Sequence, residues 1–204
     1  LVEMHESLKE IFVNFNNGFT EELRPASQEL QNYFEEQNIV LPKGYRTEIN
    51  LEALEWLNDI SVHLASGYVI TIDYGYTASE YYSAKRNLGT LACYYQHTVT
   101  GNLYENIGKQ DITAHVNFSA LAIWGKKYGL DFTGYCNQNY FLRSLGLASF
   151  LRKVELENVA DKGKLIQINK LLFDMGDKFK VLIQQKGIAT KLLTGMQFSQ
   201  HNFL

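Results

Sequence analysis

The chain has 204 residues, 19 of them basic and 22 acidic, for a formal net charge of −3, and 46% are hydrophobic. That is the composition of a folded domain, long enough to carry a core without staples; two prolines and 15 glycines exclude low-complexity disorder as the dominant state. A pI near 6 argues against a nucleic-acid footprint, and no apolar run approaches the ~20 residues of a membrane span.

Two cysteines, Cys93 and Cys136, are too few for a disulfide framework or a four-ligand metal site. A reduced, cytoplasmic setting is therefore the expectation. The first residue is Leu1, and no basic n-region with a cleavage site follows it. The reading is a processed start or a piece of a longer protein.

In chain order, Leu8 to Phe15 (LKEIFVNF) is rich in β-branched and aromatic residues and predicts a strand. Asn16-Asn17-Gly18 is a turn signal. Phe19 to Leu23 returns as a second strand, stopped by Pro25. Ser27 caps a helix through Gln37 with Leu30, Tyr33 and Phe34 on one face.

Asn50 caps the next helix, whose apolar positions are Ala53, Leu57, Ile60 and Leu64, with Trp56 beside them. Gly67 suits its C′ position. Tyr68 to Ile72 is a near-continuous apolar run, the pattern of a strand buried on both faces, and it ends at Asp73. Helix, glycine, buried strand and polar turn in that order predict a parallel α/β sheet.

Thr90 to Tyr95 predicts a strand, and His97 to Gln110 a long polar loop. Asn117 caps a helix carrying Phe118, Leu121, Ala122 and Tyr128, which Gly129 ends. Leu130 to Tyr135 is a strand, and Tyr140 to Val154 is helical but broken at Gly146. Leu165, Ile168, Leu172 and Met175 form a helical stripe. Lys178 to Ile183 and Leu193 to Phe198 are two closing strands, possible antiparallel partners. With no repeat or linker, residues 1–204 are read as one α/β unit.

Two features point to chemistry. In open α/β sheets ligands bind beyond the carboxyl ends of the strands, so Asp73, read as the first residue after a buried strand, is placed to face a ligand. The alternative is a turn-forming or helix-capping aspartate. The second feature is the loop from His97 to His115 with Gln110, Asp111 and Thr113, since long loops in compact domains are usually functional or disordered. His97 and His115 lie too far apart for a zinc signature, so no metal is expected. His63 reads as a hydrogen-bonded core histidine. No GxSxG elbow, P-loop or GxGxxG occurs.

The segments GYVITIDYGY (67–76), NLGTLACYYQHT (87–98), GKQDITAHVNFSAL (108–121), NQNYFLRSLG (137–146) and MGDKFKVLIQQKG (175–187) resemble, in order, blocks of the MidA-like family. LKEIFVNF and GYRTEINLEALEWL (44–57) also look like family segments. Members of that family are S-adenosylmethionine-dependent methyltransferases, among them a mitochondrial complex I assembly factor that methylates an arginine.

The resemblance implies an α/β fold, the later part of a Rossmann-like class I methyltransferase sheet, mixed but mostly parallel, with helices on both faces and family-specific insertions. It implies a fragment lacking the N-terminal part that carries the Gly-rich cofactor loop. S-adenosylmethionine is then the cofactor of the complete protein, not bound tightly by this chain alone. A protein substrate is implied, with no nucleic acid and no membrane span. A homo-oligomer through an exposed sheet edge is possible.

Methyl transfer needs alignment and exclusion of water more than covalent help, and a guanidinium acceptor is held best by carboxylates. The implied catalytic residues are Asp73, Asp111 and His97. The implied substrate-binding residues are Glu48, Tyr74, Gln110, Thr113 and His115. The alternative is a non-enzymatic binding or assembly module that has lost methyl transfer.

Overall fold

A computed structural model describes residues 1–96, 98–156, 162–189, 191–197 and 199. The elements in order are β1 (Val2–Met4), β2 (Leu8–Phe15), β3 (Phe19–Pro25), α1 (Gln28–Glu35), β4 (Arg46–Thr47), α2 (Leu51–His63), β5 (Gly67–Tyr76) and α3 (Ala78–Tyr81). They continue with β6 (Ala92–Tyr95), β7 (Thr98–Thr100), β8 (Asp111–Thr113), β9 (Val116–Asn117), α4 (Phe118–Lys127) and β10 (Asp131–Asn137). The last are α5 (Gln138–Ser144), α6 (Leu147–Leu156), α7 (Lys162–Asn169) and β11 (Phe179–Lys186). The chain packs as two compact units: residues Leu1–Glu52 with Ala78–Asn117, and residues Ala53–Thr77 with Phe118–Leu204.

The first unit holds two antiparallel sheets, ordered β3-β2-β1-β4 and β7-β6-β8. The β2–β3 hairpin closes where the sequence places a turn, with Asn17 (φ 53°) and Gly18 (φ 149°) in positive-φ backbone. Ser27 Oγ accepts from the Leu30 N–H (3.3 Å) at the start of α1, and that helix buries Leu30, Tyr33 and Phe34. Tyr45, 1% exposed, donates its hydroxyl to Ser83 O at 3.0 Å. The polar loop expected after residue 97 is shorter: Thr98–Thr100 pairs with β6 before the chain turns away.

The second unit is built on the sheet β10-β11-β5, with both ladders antiparallel. Its central strand is the one that is buried on both faces: Val181, Leu182, Ile183, Gln184 and Gln185 are all at most 2% exposed. Gln184 Nε2 donates to Leu121 O on α4 at 3.2 Å. A Cβ on Gly125 of that helix would collide with the same amide, so glycine there permits the close approach. Phe118 and Tyr135 rings pack at 5.4 Å. Lys186 Nζ donates to Ser61 O (2.6 Å), tying β11 to the last turn of α2.

Several expectations are corrected. Within each unit the described ladders are antiparallel, not mostly parallel. Each has short connections or a late-returning strand, which antiparallel pairing accommodates without a crossover helix. The strand at residues 68–72 is not buried on both faces. Along it Tyr68, Ile70 and Ile72 are exposed while Val69 is buried. It also runs on to Tyr76, held by pairing of Asp73 with Lys180 and Tyr74 with Phe179.

Helix α2 buries Leu54, Leu57 and Ser61, a stripe rotated from the expected one, and His63 is exposed, with Nδ1 2.8 Å from Asp59 O. Gly67 opens β5 and does not close α2. Residues 194–196 form a 3₁₀ turn, not a strand, and Met196 fills the space over Gly134. Phe198 lies outside the described residues. No helix among them is long and apolar enough to cross a membrane.

Candidate functional site

In the first unit a carboxylate collects its donors from segments far apart in sequence. Glu48 lies between β4 and α2. Its Oε1 accepts from Tyr81 Oη at 2.5 Å, and its two oxygens lie 2.9 and 3.1 Å from the Thr90 N–H. Thr90 Oγ1 donates to Glu48 Oε1 and itself accepts from the His115 N–H at 2.9 Å. Tyr81 Oη also lies 3.1 Å from His115 O. One acid thus fixes the end of α3, the Leu88–Thr90 turn and the segment entering β9.

Gly89 (φ +82°) completes this clamp. It needs left-handed backbone, and a Cβ there would collide with Glu48 Oε2. Burial, reinforced by the Glu48 charge, holds the Tyr81 phenol far above its ordinary range. The hydroxyl is therefore a fixed donor.

A second polar cluster is built around Asn117. Its Nδ2 lies 2.8 Å from Gln37 Oε1, 3.1 Å from Tyr33 Oη and 3.2 Å from Tyr82 Oη. Burial raises both phenols above their usual values. The Asn117 amide thus joins the Tyr33–Gln37 segment to Tyr82.

Of the residues singled out from sequence, Glu48 and His115 are brought together, the latter through its main chain. Gln110 braces its own loop: Nε2 donates to Asn102 O (3.1 Å) and Leu103 O (3.0 Å), and Oε1 accepts from Thr100 Oγ1. Asp111 is exposed on β8 opposite Tyr94, and Thr113 Oγ1 lies 3.4 Å from Ala92 O. Asp73 and Tyr74 belong to the second unit. There Asp73 Oδ1 accepts from the Tyr74 N–H (2.7 Å), and the Tyr74 ring meets Phe179 edge-on at 5.7 Å. His97 lies outside the described residues.

Thr90, Tyr81, Gly89, Gln37 and the Tyr33–Tyr82–Asn117 group were missed. The signal for Gly89 was present, a glycine between Leu88 and Thr90 where only positive φ would require one. The tyrosines carry no such mark, because a hydroxyl's partner is set by tertiary packing.

The family model described as "Putative S-adenosyl-L-methionine-dependent methyltransferase" matches residues 1–136. The chain belongs to that family. It is similar to two solved structures from Burkholderia thailandensis. One is an uncharacterized protein, 29% identical with TM-score 0.86, matched over 98% of this chain and 55% of that one. The other is described as a "likely methyl transferase" bound to S-adenosyl-homocysteine, 30% identical with TM-score 0.85, matched over 98% and 53%. The chain thus spans about half the length of the solved structures it matches. No curated protein matches it.

The family's cofactor needs glycines that leave room for it. Here the room beside Gly89, Gly125, Gly134, Gly176 and Gly195 is taken by Glu48, Gln184, Met196, Asn139 with the Leu172 carbonyl, and Phe141. Gly18, Gly44, Gly108 and Gly146 face open space at positive-φ turns. These residues do not by themselves make a cradle for S-adenosylmethionine. Among the described residues no group of three His, Cys, Asp or Glu is placed to hold a metal ion.

Proposed function

We propose that this chain is the C-terminal portion of a MidA-like methyltransferase that modifies a protein, with an arginine as acceptor. A preceding part of the parent protein supplies the S-adenosylmethionine site. The observation that carries this reading is the family match over residues 1–136 in a chain half as long as its solved relatives. The sheet supports it. β5 leaves Tyr68, Ile70 and Ile72 exposed on one face, and further elements of a larger Rossmann-like sheet would cover such a face. β5 and β10 each run antiparallel to β11, hence parallel to one another, with the last strand inserted between them.

In this reading the acceptor is served either by Asp73 with Tyr74 in the second unit, or by Asp111 and His97 with Gln110, Thr113 and His115 in the first. Glu48, saturated with donors, holds the His115 segment. Two buried free cysteines support a reducing, cytoplasmic setting.

The parent protein should bind S-adenosylmethionine in calorimetry and transfer labelled methyl groups into protein, recovered as methylarginine. The chain alone should bind the cofactor at least tenfold more weakly. Wild-type transfer in both Asp73→Ala and Asp111→Ala would remove those residues from the site. A second reading, a partner-binding module without transfer, is favoured by the filled glycine cradles. It predicts that the parent protein neither binds the cofactor nor transfers methyl groups.

A further inference from the structure

The β2–β3 hairpin stands out from the first unit's sheet. β3 is the outermost strand, and every one of its residues is exposed. The ladder pairs Phe15 with Phe19, Val13 with Glu21 and Ile11 with Leu23, so these six residues share one face. Phe15 (72%), Val13 (48%), Leu23 (44%) and Phe19 (40%) are exposed on that face, with Glu21 among them held by Arg46 and Tyr104 and the Phe19 ring stacked on Tyr104. On the other face Glu22 and Arg24 lie side by side, with Glu22 accepting from the Nε (2.9 Å) and Nη2 (3.1 Å) of Arg24 and from Asn14 (2.6 Å), so both charges stand at the open edge.

The edge offers backbone groups as well. The Ala26 N–H donates to Leu8 O at 3.2 Å, and hydrogen-bonded pairs alternate along an antiparallel ladder. Leu23, Glu21 and Phe19 therefore turn their N–H and C=O groups outward.

We propose that this edge is a homodimer interface in which β3 pairs antiparallel with β3 of a second copy. A two-fold axis normal to the sheet keeps each face on its own side, so the strand must be centred on one residue. Centring on Glu21, Glu22 or Arg24 sets like charges opposite each other. Centring on Leu23 sets Leu23 against Leu23 of the second copy on the face that carries Phe15 and Phe19. It also sets Glu22 against Arg24, twice, on the charged face. In that register the two Leu23 residues exchange N–H···O=C bonds, and each Glu21 N–H faces a Pro25 carbonyl, the one outward group that proline retains. Complementary charge and outward donors thus agree on one register. The inference is independent of the methyltransferase reading.

The test is light scattering on this chain and its variants across micromolar concentrations. The wild type should run at twice the chain mass. Leu23→Lys, at an exposed site, should halve that mass, as should Glu22→Arg alone and Arg24→Glu alone. The charge-swapped pair Glu22→Arg with Arg24→Glu should restore the dimer. A wild-type monomer overturns the proposal. So does a dimer indifferent to these changes, which would place the contact elsewhere, for example on the exposed face of β5, or a charge swap that stays monomeric.

Discussion

The Tyr81 hydroxyl donates to Glu48 Oε1 at 2.5 Å across 33 positions of sequence. The same carboxylate accepts from the main chain and side chain of Thr90. A carboxylate whose donors are all fixed by the fold organises structure more than it binds ligands. Hydrogen bonds to a charged group contribute about 1.5–3 kcal/mol each, and leaving buried donors unmatched costs more than deleting both partners. Tyr81→Phe should therefore lower stability by about 2 kcal/mol. Glu48→Ala should cost more, and the double variant less than their sum. Urea denaturation of the four proteins of this cycle measures the coupling; strict additivity would show the contact to be inert.

Gly89 answers a different question, whether the turn or the acid dictates the clamp. Alanine there meets both a φ of +82° and Glu48 Oε2. Strained left-handed backbone at a non-glycine residue costs on the order of 1–3 kcal/mol. Gly89→Ala should destabilise the chain by at least that much. In the Glu48→Ala background the loss should shrink to the backbone part, and an unchanged loss would assign the whole effect to φ.

Acid stability should depend on Glu21. Arg46 grips it with two bonds of 2.5 and 2.6 Å, Tyr104 adds a third at 2.7 Å, and the arginine is the main reason its pKa falls from 4.5 to about 2. The folded state thus holds this proton more weakly than the unfolded state does. The contribution is complete above pH 4.5 and is lost as pH falls from there toward 2. The pair is near the surface, so the contribution is small and should fade at molar salt, where the screening length drops to about 3 Å. Glu21→Gln should flatten the acid limb of a stability–pH curve between pH 2.5 and 5. An acid limb identical to wild type would exclude the pair.

The second unit should respond most to its central strand. Val181 is wholly buried beside Cys136, Ile183 and Met196. Val181→Ala removes two methylene equivalents from a closed site, for a loss of about 1–3 kcal/mol. Ile70→Ala on β5, half exposed, should cost less than 1 kcal/mol. Thermal unfolding of the two variants tests the order, and equal losses would mean that β5 is covered after all.

Much of the local structure is legible in the residues. The hairpin at Asn16–Gly18, the Ser27 cap and the breaks at Gly129 and Gly146 follow from backbone preference alone, since each needs a positive φ or a side-chain acceptor at one position. The strand at residues 179–186 announces itself by its apolar run. The membership of a methyltransferase family is also carried by ordered local blocks, because such blocks persist where a chain must turn or pack in one way.

Burial, strand direction and partners were decided only in three dimensions. Residues 68–72 and 181–183 read alike, yet the first leave one face exposed while the second are covered on both, because burial depends on what packs against each face. Asp73 and Asp111 look equivalent as acids near strand ends, but they belong to different units. Glu48, the least prominent of the three, is the one that the fold surrounds with donors. Side-chain hydrogen bonds spanning tens of residues leave no periodic trace, so the acid–phenol–threonine clamp emerges only once the backbone has brought its parts together.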